Sequence, residues 1–170
     1  MTSENNKPQV AVVMGSDSDL PTMQNCIDTL RDFGVSTTVR IISAHRTPDV
    51  AADFADNARA NGIKVVIAAA GMAAHLAGSL AGRTPLPIIG VPMQSSTGPT
   101  GLDALYSTVQ MPPGVPVASM AIGKAGAKNA AIFAVQILAL ADQTIANKLD
   151  NFRKAQKEAV IKKDQELQEN

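Results

Sequence analysis

Residues 10–34 read VAVVMGSDSDLPTMQNCIDTLRDFG, a unit whose pattern recurs along the chain. Its first five residues form an unbroken apolar run, which predicts a strand buried on both faces. After the polar turn GSDSD, apolar residues recur at helical spacing, namely Met23, Cys26, Ile27, Leu30 and Phe33. Pro21 opens this helix and Gly34 is placed to end it. The stretch therefore predicts a strand, a polar turn and a helix, with Cys26 in the core.

The same order of elements repeats. Further strands are predicted at 35–41, 63–69, 87–91 and 115–122, and helices at about 48–62, 73–81, 102–109 and from 126 onward. Strands that alternate with helices imply a parallel sheet covered on both faces. The predicted fold class is α/β, a three-layer αβα sandwich with a flavodoxin-like, parallel five-stranded sheet and an extended C-terminal helix. Residues 1–170 are predicted to form one domain, with a core at about 10–142 and a helical tail at about 143–170.

Composition excludes several classes of partner. The chain has 15 basic and 15 acidic residues, a formal net charge of zero, and no basic stripe interleaved with aromatic residues, which argues against nucleic acid. Its single cysteine excludes an internal disulfide and a cysteine-rich metal site. No apolar run approaches the roughly 20 residues of a membrane span, so we expect no membrane partner and a cytoplasmic location.

Aromatic residues are only 3%, so the core is built from small side chains and burial between identical subunits would add stability.

The polar loops after the strands are the candidate site. Ligands of such sheets bind outside the carboxyl ends of the strands, so Ser16, His45, Gly71 and Ser95 are predicted to face one cleft. In the loop SAHRTP, residues 43–48, a histidine that can carry a proton near neutral pH adjoins an arginine suited to phosphate. This pairing favours acid/base chemistry on a phosphorylated substrate. The alternative is that Thr47 caps the next helix, Pro48 takes its first position, and the histidine and arginine are ordinary loop residues.

Two other features have alternative interpretations. The turn at 15–19 offers backbone amides and hydroxyls to an anion at a helix N-terminus, with Asp19 available to sugar hydroxyls; alternatively, its serines and aspartates only cap the helix. His75 lies in an alanine-rich segment and is either a packing residue or a catalytic one. The chain has only two histidines, without acidic residues or cysteines clustered at ligand spacing, which argues against a zinc site.

Five motifs, taken together and in order, carry a resemblance to a known family. They are GSDSD at 15–19, SAHRTP at 43–48, AGMAAHL at 70–76, GVPM at 90–93 and VQMP at 109–112. Over residues 10–140 the chain closely resembles the N5-carboxyaminoimidazole ribonucleotide mutases, the catalytic subunit of phosphoribosylaminoimidazole carboxylase in purine biosynthesis. The motif at 46–48 resembles the mutase class.

The resemblance implies an enzyme without cofactor or metal that moves a carboxylate from the exocyclic nitrogen of an aminoimidazole ribonucleotide to the neighbouring ring carbon. It also implies a homo-octamer of flavodoxin-like subunits. By motif, Ser16 and Arg46 would hold the phosphate and Asp19 the ribose hydroxyls. Ser43, Gly71 and His75 would line the pocket for the base and the carboxylate.

We expect His45 to be the general acid/base, because release and recapture of carbon dioxide requires one group that both gives and takes a proton. The loop at 94–101, or the C-terminal helix of a neighbouring subunit, would keep water out. Two alternatives remain at this point. One is direct carboxylation of aminoimidazole ribonucleotide with carbon dioxide, and the other is a non-catalytic module that binds a nucleotide.

Overall fold

The computed structural model describes residues 7–95 and 100–169. Its sheet has five parallel strands in the order β2-β1-β3-β4-β5. The strands are β1 (Val10–Met14), β2 (Thr37–Ile41), β3 (Val65–Gly71), β4 (Ile88–Met93) and β5 (Ala118–Ser119). The helices are α1 (Leu20–Asp32), α2 (Pro48–Ala58), α3 (Leu76–Ala81), α4 (Leu102–Val109), α5 (Lys124–Ala139) and α6 (Gln143–Gln168). This is the predicted flavodoxin-like strand order.

Alternating side chains of the central strands supply two cores. Val10, Val12 and Met14 of β1 pack with α1, α5 and the start of α6, whereas Ala11 and Val13 pack with α2 and α3 on the other face. All five residues are fully buried, as the unbroken apolar run predicted. The three-layer prediction is therefore confirmed.

Cys26 lies in the core beside α5, as predicted. Burial raises the pKa of its thiol to about 12, because a thiolate would lose its hydration there. The thiol therefore stays protonated and is not a candidate nucleophile.

The fifth strand is much shorter than the predicted 115–122. In this run, two described residues pair with β4, Ala118 with Ile89 and Ser119 with Gly90. Pro116 lies inside the predicted run and has no backbone N–H to give to a strand ladder, which explains why the strand cannot start earlier.

The segment after β3 also differs from the prediction. β3 continues through Gly71, and α3 begins at Leu76 rather than near residue 73. Between them Met72 has a φ of 56°, in the left-handed region that side chains other than glycine rarely adopt. His75 consequently occupies the N-cap of a short helix instead of a position inside a longer one.

The C-terminal helix α6 is attached to the body of the protein at its first part. The Asp142 side chain caps it by accepting from the backbone N–H of Thr144 (2.9 Å) and Ile145 (3.1 Å). Lys148 Nζ donates to the carbonyl of Phe33 at the end of α1 (2.8 Å), and the rings of Phe33 and Phe152 pack edge to face at 5.3 Å. Beyond Phe152, every described side chain is exposed.

In the described ranges, no helix combines the length and the apolar character that crossing a membrane requires.

Candidate active site

A cleft of about 660 Å³ opens at the carboxyl ends of the first four strands. The loop after β1 contributes Ser16 and Asp19, and the loop after β2 contributes Ser43, His45 and Arg46. Gly71 lies at the end of β3, and Gln94 and Ser95 follow β4. The four loops predicted to face one cleft therefore do so. Of the predicted site residues, His75 alone is not part of the described lining of this cleft.

The loop after β2 is closed by its own hydrogen bonds. The Thr47 hydroxyl accepts from Ser43 N–H (3.0 Å) and donates to Ser43 C=O (3.0 Å), which also accepts from Thr47 N–H (2.9 Å). Pro48 does begin α2, as predicted, but among the described residues the Thr47 hydroxyl makes no cap bond to that helix. Thr47 therefore fixes the shape of the loop, and the simple capping interpretation is wrong for its side chain.

Arg46 joins the second loop to the first. Its Nη2 donates to the carbonyl of Gly15 (2.7 Å) and its Nε donates to the Ser43 hydroxyl (3.4 Å), which also accepts from Arg46 N–H (3.1 Å). These two side-chain contacts to described residues use two of the five N–H donors of a guanidinium. The cation is thereby held at the wall of the cleft, with a geometry suited to an anionic oxygen.

The loop after β1 is a 3₁₀ turn, Asp17–Asp19, that leads into α1. The Ser16 hydroxyl accepts from Ser18 N–H (3.3 Å) and from the Ser18 hydroxyl (2.9 Å), and it donates to an oxygen of Asp17 (3.1 Å). Ser16 thus caps the turn, as the simpler interpretation predicted. Its hydroxyl and that of Ser18 also lie on the cleft wall near the start of α1, where the helix dipole favours an anion.

Asp19 occupies the N-cap of α1, but its side chain makes no cap hydrogen bond to the described part of the helix. Burial raises the pKa of this carboxyl above its ordinary value. A hydrogen bond with the Ser16 backbone opposes the rise, and the charge of Asp17 adds to it. Without a capping partner, the carboxylate remains available as an acceptor in the cleft.

His45 and His75 contact each other directly. Nε2 of His45 lies 2.8 Å from Nδ1 of His75, and the two rings are nearly perpendicular at 82°. Both side chains are exposed, so the interpretation of His75 as a residue packed in the core is wrong. His75 is absent from the described lining of the cleft and instead lines a second, shallow depression with Ser79, Tyr106 and Gln110.

The end of β3 brings backbone rather than side chains to the cleft. A Cβ at Gly71 would lie 3.3 Å from the carbonyl oxygen of Met93, a tight contact, so glycine allows the two strand ends to approach closely. Met72 follows it in the strained left-handed conformation, which is typical of functional sites.

Sequence reasoning did not single out several residues of the lining, namely Thr22, Ala44, Met72, Ala73, Leu76, Met93 and Gln94. Most of them belong to or adjoin the motifs at 43–48, 70–76 and 90–93, so their place in those loops was the available signal. Thr22, in the first turn of α1, carried no such signal. In the loop predicted to cover the site, residues 96–99 lie outside the described residues.

The described residues hold no group of three or more histidine, cysteine or acidic side chains arranged to bind a metal ion. The chemistry that the cleft can supply from its described side chains is therefore that of one guanidinium, one carboxylate, several hydroxyls and an imidazole. An imidazole beside a fixed cation can transfer a proton to or from a bound anion.

The family model described as AIR carboxylase matches residues 9–159. A Brucella melitensis protein named N5-carboxyaminoimidazole ribonucleotide mutase is 54% identical over 91% of this chain and 94% of its own length. Proteins of the same name from Escherichia coli and Thermotoga maritima are 50% and 49% identical over 95% of this chain, and over 95% and 93% of their own lengths. The crystal structure of Treponema denticola PurE is similar with a TM-score of 0.84 and 28% identity, over 94% of this chain and 98% of that one.

We predict that Asp19→Asn stabilises the protein at neutral pH. Because the pKa of Asp19 is higher in the folded chain than in the unfolded one, the ionised carboxylate opposes folding. This penalty is complete above the folded pKa and disappears below the unfolded value of 3.8. Urea unfolding at a series of pH values should show a gain at pH ~7 that vanishes near pH ~3. A gain that persists in acid, or a loss at neutral pH, would contradict the assignment.

Proposed function

Because the chain belongs to the AIR carboxylase family, we propose that it catalyses the reaction for which its curated relatives are named. That reaction interconverts N5-carboxyaminoimidazole ribonucleotide and 4-carboxy-5-aminoimidazole ribonucleotide in purine biosynthesis. The observation that carries the proposal is that His45, Arg46, Ser16 and Asp19 line one cleft. A proton carrier, a fixed cation and a carboxylate together match a substrate with a reactive base, a phosphate and a sugar.

The phosphate is assigned to Arg46 and Ser16. The guanidinium is already oriented by Gly15 and Ser43, so little side-chain freedom is lost when it binds an anion. Asp19 is assigned to the ribose hydroxyls, since a carboxylate accepts hydrogen bonds from them and repels the phosphate. This placement of charges favours an orientation with the phosphate at Arg46 and the ribose at Asp19.

The base is assigned to the space between Ser43 and Gly71. Gly71 brings backbone to the cleft wall, against which a flat ring can lie, and the Ser43 hydroxyl on the same lining offers a polar contact. His75 was expected to contact the base or the carboxylate. Its contact with His45 and its absence from the described cleft lining support an indirect contribution to this pocket instead.

His45 is assigned as the general acid and base. As the bond between the exocyclic nitrogen and the carboxylate breaks, its electron pair stays on nitrogen, which takes a proton from His45, and carbon dioxide is released. The neighbouring ring carbon then uses the electrons of its double bond to form a bond to carbon dioxide. His45 removes the proton from that carbon and the ring becomes aromatic again. No proton is gained or lost in total, so one carrier serves both steps.

Carbon dioxide must stay in the cleft between the two steps, and water must stay out. Gln94 and Ser95 already lie on the cleft wall, where they help to exclude water from one side. A cytoplasmic location is part of the same proposal.

We also propose a homo-octamer, as in the family that the sequence resembles. Every described side chain of α6 beyond Phe152 is exposed, including the apolar Val160, Ile161 and Leu167. An unsupported helix of this length is marginal in water, so a second copy of the chain is a suitable support. On α4, Leu102, Tyr106 and Val109 form a second exposed apolar stripe at helical spacing.

Sedimentation velocity at micromolar concentration should show an octamer, and a monomer would refute the proposal.

Turnover of the purified protein tests the reaction. We expect conversion of N5-carboxyaminoimidazole ribonucleotide without added metal or nucleotide, beside little use of the unmodified ribonucleotide with bicarbonate. Efficient use of the second substrate alone would indicate direct carboxylation. No reaction with either would favour a module that only binds a nucleotide.

The His45→Asn variant is the control for chemistry in this assay. The amide cannot carry the proton, so we expect turnover to fall by roughly 100-fold or more while ribonucleotide binding largely survives. Unchanged turnover would remove His45 from the assigned role.

For Arg46→Ala we predict weaker ribonucleotide binding by about 1 to 3 kcal/mol, the cost of a charge-assisted contact. Titration calorimetry measures it directly. Arg59→Ala is the matched control, since Arg59 is exposed at the end of α2, away from the cleft lining. Equal affinities in the two variants would exclude Arg46 from the phosphate site.

A further inference from the structure

The contact between the two histidines pairs one defined nitrogen of each ring. Nε2 of His45 meets Nδ1 of His75 at 2.8 Å, which is hydrogen-bond distance. A neutral imidazole has one N–H donor and one bare nitrogen acceptor, whereas a protonated imidazole has two donors and no acceptor. One proton therefore lies between the rings, and at most one of the two rings carries a charge while the bond exists.

The backbone on both sides of His75 is fixed. Its two chain neighbours, Ala74 and Leu76, are buried, each with only 2% of its surface exposed. The His75 N–H donates to the carbonyl of Ala73 (2.8 Å), and its own carbonyl accepts from Ser79 N–H (2.9 Å). The backbone therefore fixes the point from which the His75 side chain extends, and the described contact of its ring is with His45.

We propose that His75 is a positioning residue: its Nδ1 accepts a hydrogen bond from Nε2–H of His45, which leaves Nδ1 of His45 as the nitrogen that exchanges the proton with substrate. This inference rests on the proposed function, in which His45 carries a proton. Within the described cleft lining, His75 has no place of its own, so it acts on the reaction through His45.

The order of proton transfers favours donation from His45 Nε2–H to His75 over the reverse arrangement, in which His75 Nδ1–H donates to His45. When His45 is protonated, both of its ring nitrogens are donors. His75 must then have an unprotonated Nδ1 and carry its own proton on Nε2. If His45 then releases the proton from Nδ1, the bond to His75 remains unchanged. Release from Nε2 would place two bare nitrogens 2.8 Å apart. Only the first path keeps the ring oriented through both steps of the reaction.

Nitrogen-15 NMR of protein labelled at histidine tests the tautomer without any need for activity. The chain has only two histidines, so four ring resonances are expected, and a His75 variant assigns them. At a pH high enough to leave both rings neutral, we expect His45 to carry its proton on Nε2 and to have a bare Nδ1. A proton on Nδ1 of His45 would overturn the proposal.

Two substitutions of His75 separate positioning from substrate contact. His75→Asn places a carbonyl oxygen where Nδ1 lies and keeps an acceptor, whereas His75→Phe keeps a ring without one. We expect kcat to fall by roughly 10- to 100-fold in the phenylalanine variant, with KM within about twofold, and the asparagine variant to recover most of the loss.

A raised KM with unchanged kcat, or equal losses in both variants, would show direct substrate contact or a merely structural role and would overturn the proposal. If the wild-type protein fails to turn over the ribonucleotide, the proposed function falls. The NMR tautomer is still readable in that case and decides the histidine geometry by itself.

Discussion

The hydrogen bonds that hold β1 between β2 and β3 determine where every functional loop begins. The ladder continues past the strand ends, where Gly15 N–H donates to Ala69 (3.0 Å) and Ile42 N–H donates to Met14 (2.9 Å). The three strands are therefore still in register where they leave the sheet. Arg46 extends the same connection through its bond to Gly15, so the second loop is fixed on the first. The cleft follows from this register, because most of its lining comes from the ends of the paired strands and from the loops that leave them.

The sequence predicted the sheet well where burial alone determines the structure. β1 and β3 are apolar on both faces because helices cover both faces, and such runs are recognisable without tertiary information. The predicted length of the fifth strand was wrong, because that length depends on pairing with β4. The run at 115–122 has the composition of a strand, but Pro116 cannot donate to a ladder, and only Ala118 and Ser119 of the described residues pair with β4. Before the start of α3, Met72 adopts a left-handed conformation that its residue type does not predict.

For the site, chain order predicted which loops would meet but not how their side chains would pair. Ser16, His45, Gly71 and Ser95 could be placed in one cleft because parallel strands end at the same edge. The bond between His45 and His75 could not be predicted, because it joins positions 30 residues apart and depends on the turn at Met72. The Thr47 hydroxyl is a similar case: its residue type predicted a helix cap, yet it closes the preceding loop. Hydroxyl groups have several nearby partners, and only the folded backbone decides among them.

Tyr106, at the rim of the depression beside His75, gives this protein an unusual optical property. The chain has no tryptophan and a single tyrosine, so its intrinsic ultraviolet fluorescence comes from this one ring, apart from the weak emission of phenylalanine. The ring is 62% exposed and shares its surroundings with His75, Ser79 and Gln110. Any molecule or subunit that covers this face therefore changes the environment of the main fluorophore, and the protein carries its own optical reporter beside the histidine pair.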